Sequence, residues 1–134
     1  MSGVPSKLIL VVDDDPEIRR ALVQILELDG HKVEVAESAG EAIAACRRRS
    51  FDLVFLDYFL PEMTGDKVVS ILRRADPRQR IVIISGGTPH PKLGDTDFIL
   101  RKPLEVESVR TAVDRFAKVG KEGDTAFLQL KKTP

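Results

Sequence analysis

Five short apolar runs recur along the chain at residues 8–12 (LILVV), 32–36 (KVEVA), 53–56 (LVFL), 81–84 (IVII) and 98–100 (FIL). Runs such as LILVV and IVII are apolar at every position, as a strand covered on both faces must be. KVEVA alternates instead and reads as an edge strand with Val33 and Val35 turned inward. Stretches of helical period separate the runs, and strand–helix alternation of this kind implies a parallel sheet with helices on both faces. The 134 residues suffice for one such domain and leave no room for a second core.

The helices carry their own punctuation. Asp14 or Asp15 can cap the first, with Pro16 in its opening turn, a buried stripe of Ile18, Leu22, Ile25 and Leu26, and Gly30 as the stop. Ser38 with Glu41 is a capping-box pair opening a second helix that turns Ala42, Ile43 and Cys46 inward. A third is expected over 65–74 on Val68, Ile71 and Leu72, and a last over about 105–119 on Val106, Val109, Val113 and Phe116. Residues 1–6 read as a loose leader, 7–119 as the domain and 120–134 as a polar tail or linker.

Charge and cysteine content narrow the function classes. Lys and Arg number 21 against 21 Asp and Glu, which argues against broad attraction to nucleic acid or membrane surfaces. The arginines at 47–49 and 73–74 sit where helices end, where cations oppose the negative end of the helix dipole. The early apolar run is too short for a signal or spanning segment, and a single cysteine, Cys46, allows no internal disulfide and suits a reducing cytoplasm. His31 and His90 form no ligand cluster and read as surface residues.

Ligands of such sheets bind at the carboxyl ends of the strands. The first strand ends in Asp13, Asp14 and Asp15, the third in Asp57, the fourth in Ser85, Gly86 and Gly87, and the fifth in Lys102 and Pro103. Singly, each has an ordinary explanation as cap, turn or surface charge. Together, clustered carboxylates repel one another, and a divalent cation with oxygen ligands relieves that repulsion. A carboxylate beside Mg²⁺, an ammonium and a hydroxyl is the equipment of phosphoryl transfer, with glycines leaving room for the phosphoryl group.

In order, LILVVDDDP, DLVFLDYFLPEMTG, IVIISGG and FILRKP make the chain resemble a response-regulator receiver domain, the phospho-acceptor half of two-component signalling. The resemblance implies a flavodoxin-like, doubly wound α/β fold with a five-stranded parallel sheet of order 2-1-3-4-5. It implies Asp57 as phospho-acceptor, Asp14 as direct Mg²⁺ ligand, Asp13 acting through water, and the main-chain carbonyl of Phe59 as the remaining ligand. Ser85 matches the switch hydroxyl, Lys102 the phosphoryl-binding lysine, and Pro61 and Gly65 the entrance loop. The bond from Lys102 to Pro103 would be cis. The implied partners are a sensor histidine kinase or phosphotransfer protein and a downstream target, in the cytoplasm, with neither nucleic acid nor membrane bound directly. Such a domain catalyses only its own phosphorylation and dephosphorylation.

Three positions depart from the family pattern. Phe59 and Gly87 stand where the family tunes acyl-phosphate lifetime. Ile99 stands at the place of the switch aromatic, with Phe98 expected on the opposite face. Only 16 residues, 86–101, separate Ser85 from Lys102, and GGTPHPKLGDTD within them breaks helical structure repeatedly. The family's fourth helix is therefore expected to be shortened or lost, with output through a remodelled surface rather than the usual dimer.

Other readings fit less of the chain. A haloacid-dehalogenase-type phosphatase would use Asp13 and Asp15 similarly but needs an acidic pair after a strand beyond Lys102. A dinucleotide-binding domain needs a glycine-rich first turn where three aspartates would repel phosphate. A phosphorylation-independent interaction module on the same fold is the remaining alternative.

Overall fold

The computed structural model describes residues 5–86 and 98–117. Its strands are β1 (Leu8–Val12), β2 (Lys32–Ala36), β3 (Leu53–Asp57), β4 (Ile81–Ser85) and β5 (Phe98–Arg101), and its helices α1 (Pro16–Leu28), α2 (Ala39–Arg48), α3 (Gly65–Ala75) and α4 (Val106–Phe116). The pairings among these five strands are parallel, in the order β2-β1-β3-β4-β5. This is the doubly wound sheet that the strand–helix alternation implies. The segment between β4 and β5, with Gly87, His90 and the shortened helix expected there, lies outside the described residues. So do residues 1–4 and 118–134.

The continuous apolar strands fill both layers. Ile9, Val11, Phe55, Val82 and Ile84 pack with Leu22 and Leu26 of α1 and with Val109, Val113 and Phe116 of α4. Leu10, Val12, Val54, Leu56, Ile81 and Ile83 pack on the other face with Ala42 and Ala45 of α2 and Val68 and Leu72 of α3. Small alanines on α2 let that helix lie close to the sheet, and residues alternating along each strand serve opposite cores. The register through β5 is unbroken, so Phe98 stacks on Phe116 at 5.0 Å while Ile99 faces the other layer.

Turn chemistry closes α1. Gly30, at φ +90°, donates to Glu27 O and His31 N donates to Leu26 O, both at 3.0 Å, which is the Schellman arrangement. That motif turns the second residue beyond the cap back onto the helix, and it overturns the surface reading of His31. The ring is buried, its Nδ1 accepts from Lys7 N at 3.1 Å, and burial holds its pKa below the ordinary value. Asp29, the C-cap, receives a bidentate grip from Arg110 of α4 at 2.8 and 2.9 Å, tying the two helices of one layer together.

Two inward expectations fail at margins. Val35 is 47% exposed because β2 is an edge strand and the helix layer covers its inner part, where Val33 packs. Val106 is 43% exposed, with Glu105 and Glu107 on either side of it exposed as well, and the buried stripe of α4 begins at Val109. Cys46 is half-buried against the α2–α3 core, and burial pushes its thiol up to about 11. Arg48 and Arg49 share Glu34 of β2 at 3.0 and 3.7 Å, and Arg73 donates to Gln79 O, so these helix-end arginines are engaged by neighbouring groups of the domain itself. Among the described residues, no helix is long and apolar enough to cross a membrane.

Candidate functional site

The aspartate triplet divides its labour at the end of β1. Asp15 is the N-cap of α1, its Oδ1 accepting from Glu17 N at 2.9 Å with Pro16 opening the helix. Asp13 is fully buried and its Oδ1 accepts from Asp15 N at 2.9 Å. Asp14 is left exposed at the pocket rim. The cap is thus Asp15 alone, and the other two carboxylates are free to face Asp57.

Asp57 closes β3 and Ser85 closes β4, each one residue beyond the apolar run, so both side chains emerge at the carboxyl edge while remaining buried. Carboxylate oxygens of Asp13, Asp14 and Asp57 lie within 4.8 Å of one another. Lys102, just past β5, places Nζ 3.5 Å from Asp13 Oδ2 and 3.8 Å from Asp57 Oδ2. Its main-chain N donates to Ser85 O, and the Lys102–Pro103 peptide is cis, as the family resemblance implies. Gly86 leaves room for the lysine stem, since a Cβ there would stand 3.2 Å from Lys102 Cδ.

The entrance loop is tightly folded. Gly65 N donates to Tyr58 O at 2.7 Å, and a Cβ on Gly65 would meet Tyr58 Cα at 2.9 Å, so only glycine fits this approach. Phe59 N donates to Asp57 Oδ1 at 3.3 Å, and the Phe59 ring, 51% exposed, meets Tyr58 edge-on at the rim beside exposed Pro61. Glu62 Oε1 reaches across to accept from Ala39 N, linking this loop to the start of α2.

Electrostatically the pocket is short of positive charge. Burial first, then the Asp13 carboxylate, pushes the Asp57 carboxyl up to about 6, against the opposing pull of Lys102 and the Phe59 N–H. Asp13 Oδ2 and Ser85 Oγ, both buried, have no hydrogen-bond partner among the described residues. Hard oxygen donors, mutual repulsion and a buried carboxylate oxygen whose one contact among the described residues is the Lys102 ammonium suit a divalent cation of the Mg²⁺ type, which keeps several waters when bound. Replacing Asp14 by Asn is expected to weaken Mg²⁺ binding by at least about tenfold, since it removes one negative charge from the carboxylate cluster. It should also slightly stabilise the metal-free fold at neutral pH, because Asp14 contributes to the pressure on Asp57. Calorimetric titration and urea unfolding measure the two effects; an unchanged affinity would remove Asp14 from the site.

Arg19 stands outside the sequence motifs of the site. Its Nη1 donates to Asp13 O at 2.8 Å and its side chain is 16% exposed. The usable signal was helical direction: side chains lean toward a helix N-terminus, so an arginine one turn into α1 reaches back over the strand end.

Fold and site together define a flavodoxin-like signalling domain with an acidic pocket at the carboxyl edge of its sheet. The chain belongs to the response regulator receiver domain family, whose model matches residues 9–114. It is 37% identical over 121 residues to the sensor histidine kinase AruS of Pseudomonas aeruginosa, covering 84% of this chain and 12% of that protein. It is 30% identical to the acid tolerance regulatory protein ActR of Rhizobium meliloti, covering 81% of this chain and 59% of the relative. The chain therefore spans only part of these relatives. Among solved structures, a CheY-like receiver domain protein from Methanospirillum hungatei superposes with a TM-score of 0.77 at 26% identity, covering 93% of this chain and 99% of that one. The response regulator TrrA of Thermotoga maritima, in complex with Mg²⁺ and BeF, gives 0.75 at 27% identity, covering 82% of this chain and 98% of that one.

Proposed function

We propose that this receiver domain accepts a phosphoryl group on Asp57, from a histidine kinase or phosphotransfer partner, in an Mg²⁺-dependent reaction. The observation that carries the reading is the convergence of three carboxylates, Lys102 and a Ser85 hydroxyl without a hydrogen-bond partner among the described residues at one sheet edge. Asp13, Asp14, Asp57 and the main-chain carbonyl of Phe59 would hold the cation. Bound Mg²⁺ supplies positive charge to the phosphoryl oxygens and relieves repulsion among the carboxylates.

An Asp57 oxygen attacks phosphorus as the bond to the donor nitrogen breaks, and the departing imidazole keeps or regains its proton. Lys102, already poised against Asp57, shifts its ammonium onto a phosphoryl oxygen, and Ser85 donates its hydroxyl proton to another. Gly86 leaves space beside the Lys102 stem for this, and the sequence offers Gly87 as the second small residue of the phosphoryl loop. Pro61, Gly65 and Pro103 shape the surrounding loops. The domain catalyses these steps on itself and turns over no separate substrate. The setting we propose is cytoplasmic, with a protein target downstream, neither nucleic acid nor membrane contacted by this domain, and output through a surface other than the usual dimer face.

Incubation with acetyl phosphate and Mg²⁺ should add one acid-labile phosphate, read by mass spectrometry, and chelating the metal should prevent it. Absence of incorporation with metal present would favour the phosphorylation-independent interaction module instead, and equal incorporation without metal would overturn the Mg²⁺ dependence while leaving the phospho-acceptor role standing.

A further inference from the structure

Arg19 does not belong to the phosphoryl-transfer machinery proposed above, yet it is built into the same end of the sheet. It lies one turn into α1, its own N–H closing the first turn on Asp15 O at 3.1 Å. Its guanidinium folds back across the turn, donates to the main-chain oxygen of Asp13 at 2.8 Å, and lies 3.9 Å from the Glu37 carboxylate at the end of β2. Glu37 N in turn donates to Glu41 Oε1, and Ser38 Oγ accepts from Glu41 N, so the far anchor belongs to the capped start of α2.

The oxygen that Arg19 holds belongs to the peptide joining Asp13 to Asp14. Fixing it fixes the plane of that peptide and hence the direction in which Asp14 leaves the strand. The Asp13 carboxylate is held separately by Asp15 N. One turn thus carries two tethers, one on its side chain and one on its backbone. We infer that Arg19 is a positioning residue of the acidic pocket, holding the Asp13–Asp14 peptide so that both carboxylates face Asp57. The inference rests on the reading of that pocket as a divalent-cation site.

Charge and position make opposite demands, which renders the inference testable. A guanidinium near the pocket repels a cation, so charge alone predicts tighter Mg²⁺ binding when Arg19 is neutralised. Positioning predicts weaker binding, by about tenfold, as for other groups that orient metal ligands. Arg19→Met keeps an apolar stem of similar reach and removes both charge and donors. Arg19→Lys keeps the charge and one flexible donor in place of the planar fork, and its affinity should fall between those of Arg19→Met and the wild type.

Calorimetric titration of Mg²⁺ into metal-free protein reads the affinity without any phosphoryl chemistry, and unfolding with EDTA reads the fold separately. A residue serving stability alone would lower the unfolding midpoint and leave the Mg²⁺ Kd of the folded protein unchanged. Tighter or unchanged binding in Arg19→Met overturns the inference while leaving the metal site intact. A wild type that binds no Mg²⁺ overturns the pocket reading and this inference together. If Arg19→Met does not fold, Arg19→Lys decides alone, and a Kd equal to that of the wild type rejects the positioning role.

Discussion

Asp57→Asn is expected to take up no phosphate and, without metal, to be more stable than the wild type at neutral pH. The first effect follows from losing the nucleophilic oxygen. The second follows from burial: Asp57 is 4% exposed, beside Asp13, and its carboxyl is pushed from 3.8 up to about 6. A carboxyl with a raised folded-state pKa favours the fold while protonated. That contribution is complete below the unfolded value and is lost as pH climbs through the folded one. Ionisation at pH 7 therefore costs the metal-free fold up to about 3 kcal/mol, and the isosteric amide avoids the cost.

Urea unfolding in EDTA between pH 4 and 8 checks this. The stability gain of Asp57→Asn over the wild type should grow with pH and level off above about 6. A gain that stays flat, or a variant less stable at pH 7, would contradict the electrostatic account. The difference between the two proteins is the informative quantity, because the wild-type profile also contains His31. Burial lowers the pKa of that ring below 6.5, so its contribution is full above 6.5 and lost as pH falls through the lowered value. The two slopes oppose each other, and subtraction removes the histidine.

The sheet was legible because burial on both faces forces unbroken apolar runs, and LILVV or IVII fits little else in a chain of this length. The ends of those runs were legible too, since Asp57 and Ser85 follow directly on apolar residues. What sequence could not decide was set by single-residue offsets and reach. Asp14 and Asp15 are equally good caps on paper, and only the actual turn, with Asp13 Oδ1 on Asp15 N, assigns the cap to Asp15. His31 reads as external because it belongs to no ligand cluster, whereas the Schellman turn carries it inward. Val35 and Val106 sit at the right period but beyond the cover of the neighbouring layer. Arg19 is one polar residue on an amphipathic helix; its period is that of a solvated arginine, and only the N-terminal lean of helical side chains, one turn into α1, points it over the strand end.

Lys102→Met should separate three quantities that are usually confounded. The substitution keeps an unbranched stem against Gly86 and removes the ammonium that lies 3.5 and 3.8 Å from Asp13 and Asp57. Two buried carboxylates then face each other without a cation, and breaking such a group from one side is costly. Without metal, stability should fall by roughly 2–3 kcal/mol, toward the low end because Lys102 is itself 25% exposed. Affinity for Mg²⁺ should rise, because the lysine no longer competes for the same oxygens, and bound metal should restore much of the lost stability. Phosphorylation should nonetheless slow by about 10²–10³, since the missing ammonium acts on charge that develops at the phosphoryl oxygens. Unfolding in EDTA, Mg²⁺ titration and rates with acetyl phosphate measure the three in turn. Weaker Mg²⁺ binding would mean that Lys102 positions the carboxylates rather than substituting for the metal. It would then resemble Arg19, whose removal is expected to loosen the metal because it grips the backbone and not the ligand oxygens.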